Sequence, residues 1–468
     1  MRQVILNQLN EIVGSENIIT EPEKMGDYSH DEFSLKEISR LPEVVVKPAS
    51  TAEVSRVMEL AVKEKFPVTP RGGATGLCGG CVPSKGGIVL SLERMNRVLE
   101  VDQINQMAVV EAGMRLSEFY KAIEETGLFF PPHPGEESAM IGGLIATNAG
   151  GSRAVKYGVI RNYVRGLKVV LAGGKILNLG GKLMKSSTGY NLLQLIIGSE
   201  GTLGVITKAI IQLQPVPPLT RSLIIPFADL EQAIETVPAL SKNKIVPLAV
   251  EFISKDVIRI TEDFLRKTWP SRKGQTDILI ILDASTEAEI DHLSQRVAEI
   301  CLEKRALDVY VADSPSKQRE VLEIRSKMYE AIKNETIEIL DIVVPRSEIA
   351  GHVKKVQQVS EKYGLWLPTF GHAADGNVHT HIMRCKFRDG ACTPLSSDEW
   401  RPKIDKIRDE LYRDCQNRGG HISGEHGIGL VKKSYFSLVA DEEMVRLMKG
   451  IKKIFDPEGI CNPGKIFD

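Results

Sequence analysis

The chain has 468 residues, of which 42% are hydrophobic and 26% charged, with a formal net charge of -1. That composition is ordinary for a globular protein, and the length exceeds one typical core, so two or three domains sharing a catalytic cleft are expected. The near-zero charge supplies no global field for nucleic acid or an anionic membrane.

No apolar run approaches the ~20 residues needed to cross a bilayer, because Ile278-Leu279-Ile280-Ile281-Leu282 stops at Asp283. The first residues are polar and reach Glu11 where a signal peptide would carry its apolar stretch. A cytoplasmic protein without a transmembrane segment is expected. Seven scattered cysteines do not suggest a disulfide framework, and Cys78-Gly79-Gly80-Cys81 has no second such pair to complete a metal site.

Residues 1–42 read as an N-terminal helical segment. Glu43 to Pro48 reads as a strand, Thr51 as an N-cap, and Ala52 to Lys65 as a helix with Val54, Val57, Leu60 and Ala61 on one face. Pro67 to Pro70 is a short strand running into Arg71-Gly72-Gly73-Ala74-Thr75-Gly76-Leu77. Strands follow at Gly87–Ser91, Met107–Ala112, Leu167–Leu171 and Lys175–Asn178, the last two joined by Gly173-Gly174 as a hairpin. Gly204–Leu213 closes this α+β domain, 43–217, at the cluster Pro215-Val216-Pro217-Pro218.

A strand-helix-strand pattern then appears twice, from Arg221 to Phe252 and from Asp341 to Phe370. It predicts a cap domain, 218–403, with an antiparallel sheet covered by helices. Residues 404–468 read as a C-terminal helical segment that returns to the first domain's cleft.

Three glycine-dense regions lie in the first domain. Consecutive glycines in the loop from Arg71 let backbone N–H groups converge on an anion. The spacing is neither that of a dinucleotide fingerprint nor that of a P-loop. The others run from Pro132 through Gly135, Gly142-Gly143 and Asn148 to Tyr157-Gly158, and from Gly198 to Gly204. Together they argue for a long cofactor lying across the domain.

Near the C-terminus, Gly371-His372-Ala373-Ala374-Asp375-Gly376-Asn377-Val378-His379 and Ser423-Gly424-Glu425-His426-Gly427 place histidines and carboxylates among glycines. Two imidazoles and a carboxylate suit Zn²⁺, Fe²⁺ or Mn²⁺ without choosing among them.

In this combination and order, the motifs resemble the FAD-linked 2-hydroxy-acid dehydrogenases, the D-lactate dehydrogenase, glycolate oxidase and D-2-hydroxyglutarate dehydrogenase group of the vanillyl-alcohol oxidase flavoproteins. The likeness runs from Glu43 to Lys465. It implies an α+β fold with an FAD-binding domain of that type. Arg71, Gly72, Gly73, Ala74, Thr75, Gly76 and Leu77 would meet the FAD pyrophosphate. Pro132, Gly135, Ser138, Gly142, Gly143, Thr147, Asn148, Gly151, Tyr157, Gly158, Glu200, Gly204, Val205, Ile206 and Asn462 would surround the rest. Ala74 and Thr75 stand where some relatives tether the flavin through histidine, so non-covalent FAD is expected.

The resemblance further implies His372, His379 and Glu425 as ligands of one divalent metal, His426 as the base and Arg325 as the holder of the substrate carboxylate. His381 and His421 match no ligand position and read as supporting residues. Tyr329 and Ile339-Leu340 give little sign of a second carboxylate site, which favours D-lactate or glycolate over 2-hydroxyglutarate. No cysteine cluster can hold an iron-sulfur centre, so an external acceptor is expected, an electron-transferring flavoprotein or iron-sulfur subunit. Two other readings stand beside this one. A metal-dependent hydrolase using the same site would not need three glycine regions, and an electron carrier with no substrate would leave the histidines unexplained.

Overall fold

The computed structural model describes residues 2–388 and 390–467. The chain divides into two compact units: 1–150, 159–216 and 425–468 form the first, and 151–158 with 217–424 form the second. The second unit thus extends past position 403 and includes the long helix Ser397–Asn417, and the return to the first unit begins only at Glu425.

The first unit is built on two main sheets, besides the two-stranded ladder of Leu128–Phe129 and Gln214–Pro215. In the smaller, Val44–Val46 and Val68–Arg71 both pair in parallel with Ile88–Ser91, and Ile18–Ile19 adds an antiparallel edge. The helix Thr51–Glu64 makes the crossover and buries Val54, Val57, Met58, Leu60 and Ala61. Its N-cap is Ser50 rather than Thr51. The Ser50 hydroxyl accepts the Glu53 N–H at 3.2 Å, and Thr51 already has helical backbone.

The larger sheet is antiparallel, in the order Val98–Asp102, Met107–Glu111, Val205–Gln212, Val164–Val170, Ile176–Gly180. The hairpin at Gly173-Gly174 forms, with Val170 opposite Ile176. The edge strand Val98–Asp102, which escapes the sequence reading, alternates charge and has little buried surface.

The C-terminal residues lock into this unit. The Val68 N–H donates to the Ile460 carbonyl and the Asn462 N–H to the Val68 carbonyl, each at 2.8 Å. Lys465, buried, donates to the Val82 carbonyl at 2.8 Å. Burial holds the Lys465 pKa down at about 8.

The second unit is built on a seven-stranded sheet in the order Tyr310–Ala312, Leu219–Phe227, Thr276–Ala284, Ala249–Ser254, Thr369–His372, Asn377–Met383, Thr336–Val343. Every pairing in it is antiparallel. The strands are nearly continuous apolar runs because helices such as Leu230–Lys242 and Glu287–Glu303 cover the sheet. The helices Ile349–Tyr363 and Ser397–Asn417 pack against each other.

Beyond the sheet, Cys385 and Cys392 are disulfide-bonded across the hairpin of Cys385–Arg388 and Ala391–Pro394. Their spacing matches no sequence motif, and they meet only because the strands pair. Among the described residues, Cys78, Cys81, Cys301, Cys415 and Cys461 take part in no disulfide. Among the described residues no helix is long and apolar enough to cross a membrane.

Candidate functional site

In the first unit the loop after Val68–Arg71 leaves a row of backbone donors open. The N–H groups of Gly72, Gly73, Ala74, Thr75, Gly76 and Leu77 find no acceptor among the described residues. Successive unused donors in a glycine loop make an anion-binding concavity. The Arg71 side chain does not join them. Its guanidinium donates to the His30 carbonyl at 2.8 Å and to the Asp27 carbonyl, and it lies over the Tyr28 ring. Arg71 therefore ties the N-terminal segment to the strand end, a role invisible to a reading of the glycines around it.

The second glycine region packs tightly beside the loop. The Gly142 N–H donates to the Ala112 carbonyl at 2.7 Å, and a Cβ at Gly142 would strike the Ala112 side chain at 2.8 Å. Gly143 and Gly135 face open space. Ser138 donates its N–H to the Glu136 carboxylate at 2.8 Å, the Pro132 carbonyl accepts from Tyr120 at 3.1 Å, and Thr147 bonds the Gly143 carbonyl at 3.2 Å. Asn148 ends the helix Ile141–Thr147 in the left-handed conformation, its side chain accepting the Arg161 N–H at 3.0 Å. Gly204 precedes Val205 and Ile206, which pair with Val170 and Val169. Gly151, Tyr157 and Gly158 belong to the second unit, where the Tyr157 hydroxyl meets Asp283 at 3.4 Å.

Glu200 acts on protein rather than standing open to a ligand. Its carboxylate accepts the N–H groups of Ile428 and Gly429, each at 2.8 Å, and the Asn462 amide donates to the Glu200 carbonyl at 2.7 Å. Burial pushes the Glu200 carboxyl above its ordinary range, and the two N–H bonds oppose that shift. The segment held in this way carries Glu425 and His426, whose Oε1 and Nε2 are 3.9 Å apart. Gly150 leaves the space that the Glu425 carboxylate fills.

In the second unit the sheet gathers the other sequence candidates. His372 and His379 lie on the adjacent strands Thr369–His372 and Asn377–Met383, their rings perpendicular with centroids 5.4 Å apart. The turn between them needs Gly376, at φ +89°, where a Cβ would collide with the Val344 carbonyl. Glu251 stands directly opposite His372 on Ala249–Ser254. Its Oε1 accepts from His372 Nδ1 at 2.5 Å. Its Oε2 accepts from Arg325 Nε at 3.1 Å and from Nη2. Burial alone would raise the Glu251 carboxyl, but its contacts with His372 and Arg325 reverse this and bring it to about 2.

Asp341 lies beside His379 without a hydrogen bond to it, Oδ1 being 3.8 Å from Nδ1. It accepts from Asn377 at 2.8 Å, Ser423 at 2.9 Å and the Gly424 N–H at 3.0 Å. Asp341 thereby fixes the residue that precedes Glu425 in the chain. Neither Glu251 nor Asp341 was singled out from sequence. The available signal was a carboxylate inside a buried strand, alone in Ala249–Ser254 and alongside Glu338 in Thr336–Val343, which is costly unless paired.

Arg325 reaches the cluster from the helix Pro315–Ser326 and lies over Phe370, 5.3 Å from the ring centroid. His381 stacks on the other candidate wall, 4.8 Å from Phe370 and 5.8 Å from Tyr329 between centroids. His421 is exposed and pairs with Val343 through backbone alone.

Comparison with known proteins finds two family matches along the chain. Residues 42–180 match the family described as FAD binding domain, and residues 216–466 match FAD linked oxidases, C-terminal domain. D-lactate dehydrogenase of Archaeoglobus fulgidus is 44% identical over 90% of this chain and 91% of its own length. The glycolate oxidase subunit GlcD of Bacillus subtilis is 35% identical over 99% and 96%. Among solved structures, 4-ethylphenol oxidase from Gulosibacter chungangensis superposes with TM-score 0.80 at 20% identity, covering 99% of this chain and 96% of that one, a likeness of fold.

Proposed function

The chain belongs to the FAD-linked oxidases of the D-lactate dehydrogenase and glycolate oxidase group and is an FAD-linked 2-hydroxy-acid dehydrogenase, and from that premise we propose that it oxidises D-lactate to pyruvate, or glycolate to glyoxylate, with the help of a divalent cation. When bound, FAD accepts a hydride at N5, and the cation lowers the pKa of the substrate hydroxyl.

The protein's own groups divide the remaining work. The unsatisfied N–H row from Gly72 to Leu77 suits a pyrophosphate, and Ala74 and Thr75 offer no attachment point, so the flavin is held non-covalently. His372, His379 and Glu425 are the proposed cation ligands, with Zn²⁺, Fe²⁺ and Mn²⁺ all compatible with the donor set. Arg325 presents a planar guanidinium to the substrate carboxylate. His426 takes the hydroxyl proton as the Cα hydride departs. The side chain on Cα would be small, since Ile339, on the same strand face as Asp341, is apolar and Tyr329 packs on His381. Electrons leave for an external protein, an electron-transferring flavoprotein or iron-sulfur subunit, and we read the enzyme as cytoplasmic.

The observation carrying the cation is the buried Glu251 carboxylate on Nδ1 of His372 at 2.5 Å, with a second histidine, His379, whose ring centroid is 5.4 Å away. Metal-bound histidines regularly have such partners behind the ring. The test is anaerobic: FAD-loaded protein mixed with D-lactate, glycolate or D-2-hydroxyglutarate should lose its yellow colour with the first two. Treatment with a chelator should abolish bleaching, and added Zn²⁺ or Mn²⁺ should restore it. Bleaching indifferent to thorough metal removal would defeat the cation, and a flavin that no 2-hydroxy acid reduces would defeat the substrate.

A further inference from the structure

We propose that Glu251 is a positioning residue that sets His372 and Arg325 as one unit, so that cation binding and substrate-carboxylate binding depend on a single buried carboxylate. The inference rests on the reading above and extends it to a residue outside the ligand and substrate-binding sets.

The geometry follows from strand register. Glu251 and His372 are direct cross-strand partners in an antiparallel pair, so their side chains rise from the same face of the sheet. Glu251 is 1% exposed, and its two oxygens are divided between two tasks. Oε1 receives Nδ1 of His372 at 2.5 Å, which places the ring proton on Nδ1 and leaves the lone pair on Nε2. Oε2 receives the Nε and Nη2 edge of Arg325, which directs the Nη1 edge toward any incoming carboxylate. Phe370 beneath the guanidinium limits its movement out of that plane.

Only a carboxylate can serve both partners. An amide in the same place offers one oxygen, and its NH₂ group would face an N–H donor on either the histidine or the arginine. The isosteric change therefore breaks one arm outright and loosens the other. Removing the partner behind a metal-bound histidine costs about 10- to 100-fold in metal affinity. A loose Arg325 raises KM for the acid, because the guanidinium then loses its fixed approach to the carboxylate.

The experiment uses full-length, FAD-loaded protein stripped of metal with a chelator. Co²⁺ titration is followed by visible absorption, and KM and kcat for D-lactate are measured after reconstitution. Glu251→Gln should retain FAD, lose about 10- to 100-fold in Co²⁺ affinity with an altered cobalt spectrum, and show a raised KM in the same variant. Arg325→Met should raise KM and leave the Co²⁺ titration unchanged, which separates the two arms. Should Glu251→Gln yield no folded protein, Glu251→Asp keeps the charge but is too short to span both partners, and it should move both readouts in the same direction.

If wild type takes up Co²⁺ and the Glu251 variants match it, or shift only one of the two readouts, the inference is overturned while the reading beneath it stands. If wild type takes up no divalent metal, the cation is lost from that reading and this inference falls with it.

Discussion

The second unit contains two buried sets of histidine, carboxylate and arginine, and only one has the makings of an active site. His372, Glu251 and Arg325 meet on the sheet. His352, Asp414 and Arg418 meet between the helices Ile349–Tyr363 and Ser397–Asn417, with Asp414 Oδ2 2.7 Å from His352 Nδ1 and 2.8 Å from Arg418 Nε. In the helical set both partners share one oxygen, Arg418 is also held by Glu348 at 2.8 Å, and His352 is wholly buried with no partner on Nε2 among the described residues. In the sheet set the carboxylate divides its oxygens, and a second histidine stands 5.4 Å away. Residue types alone do not make a site. What matters is whether the far side of the ring looks onto further donors or into packed side chains.

Exchanging the two histidines is the severest way to break this comparison. His372→Asn should lower turnover on the order of 10³-fold, the value of several kcal/mol of lost cation assistance, while FAD stays bound. His352→Leu should leave kcat and metal content unchanged. If His352→Leu abolished turnover in folded protein, the distinction between the sets would fail. His426→Asn sharpens the chemical side: turnover should fall ~10²-fold or more with the Co²⁺ titration little changed, because the proposed base and none of the proposed ligands is removed.

A stability measurement reaches the helical set next. Asp414→Ala orphans buried donors on His352 and Arg418 and should cost about 1–3 kcal/mol in denaturant unfolding, with kcat per folded molecule preserved. Glu200→Gln should cost a similar amount, since two backbone donors lose their ionic acceptor, but here kcat should fall too because the loop carrying Glu425 and His426 loosens.

The smallest effect is in pH. Burial alone would raise the Asp414 carboxyl, but its bonds to His352 and Arg418 outweigh that and depress it below the ordinary value of 3.8. A depressed folded pKa means that the unfolded chain binds the proton first as pH falls. The stabilisation is therefore present above about pH 3.8 and is lost as the pH drops through the lower folded value. Asp414→Asn should flatten that part of the acid unfolding curve, and an acid limb parallel to wild type would show that the helical set stores no such stabilisation.

Much of this was legible in the residues. Consecutive glycines after Val68–Arg71, the Gly173-Gly174 hairpin and the proline cluster near 216 each mark a local backbone requirement, and local requirements leave local traces. The resemblance pointed to His372, His379, Glu425 and His426 because they occur in short motifs. The carboxylates beside the histidines were missed for a physical reason. Glu251 and Asp341 come from other strands, and only the register of the sheet brings them into place. Arg71 shows the converse: it sits in the expected phosphate loop, yet its guanidinium is spent on Asp27 and His30. Backbone geometry could be read from spacing, whereas side-chain partnership required the topology.

The scattered make-up of the first unit has a consequence for biosynthesis. The pieces that close it, Cys461 bridged to Val68, Asn462 on Gly80 and Lys465 on Val82, are translated after every residue of the second unit. Everything the second unit needs has been translated once Gly424 emerges. The first unit is thus closed only after the second is complete, and a chain released just after Gly424 would carry a finished second unit and a first unit still missing the residues that hold its Val68 strand.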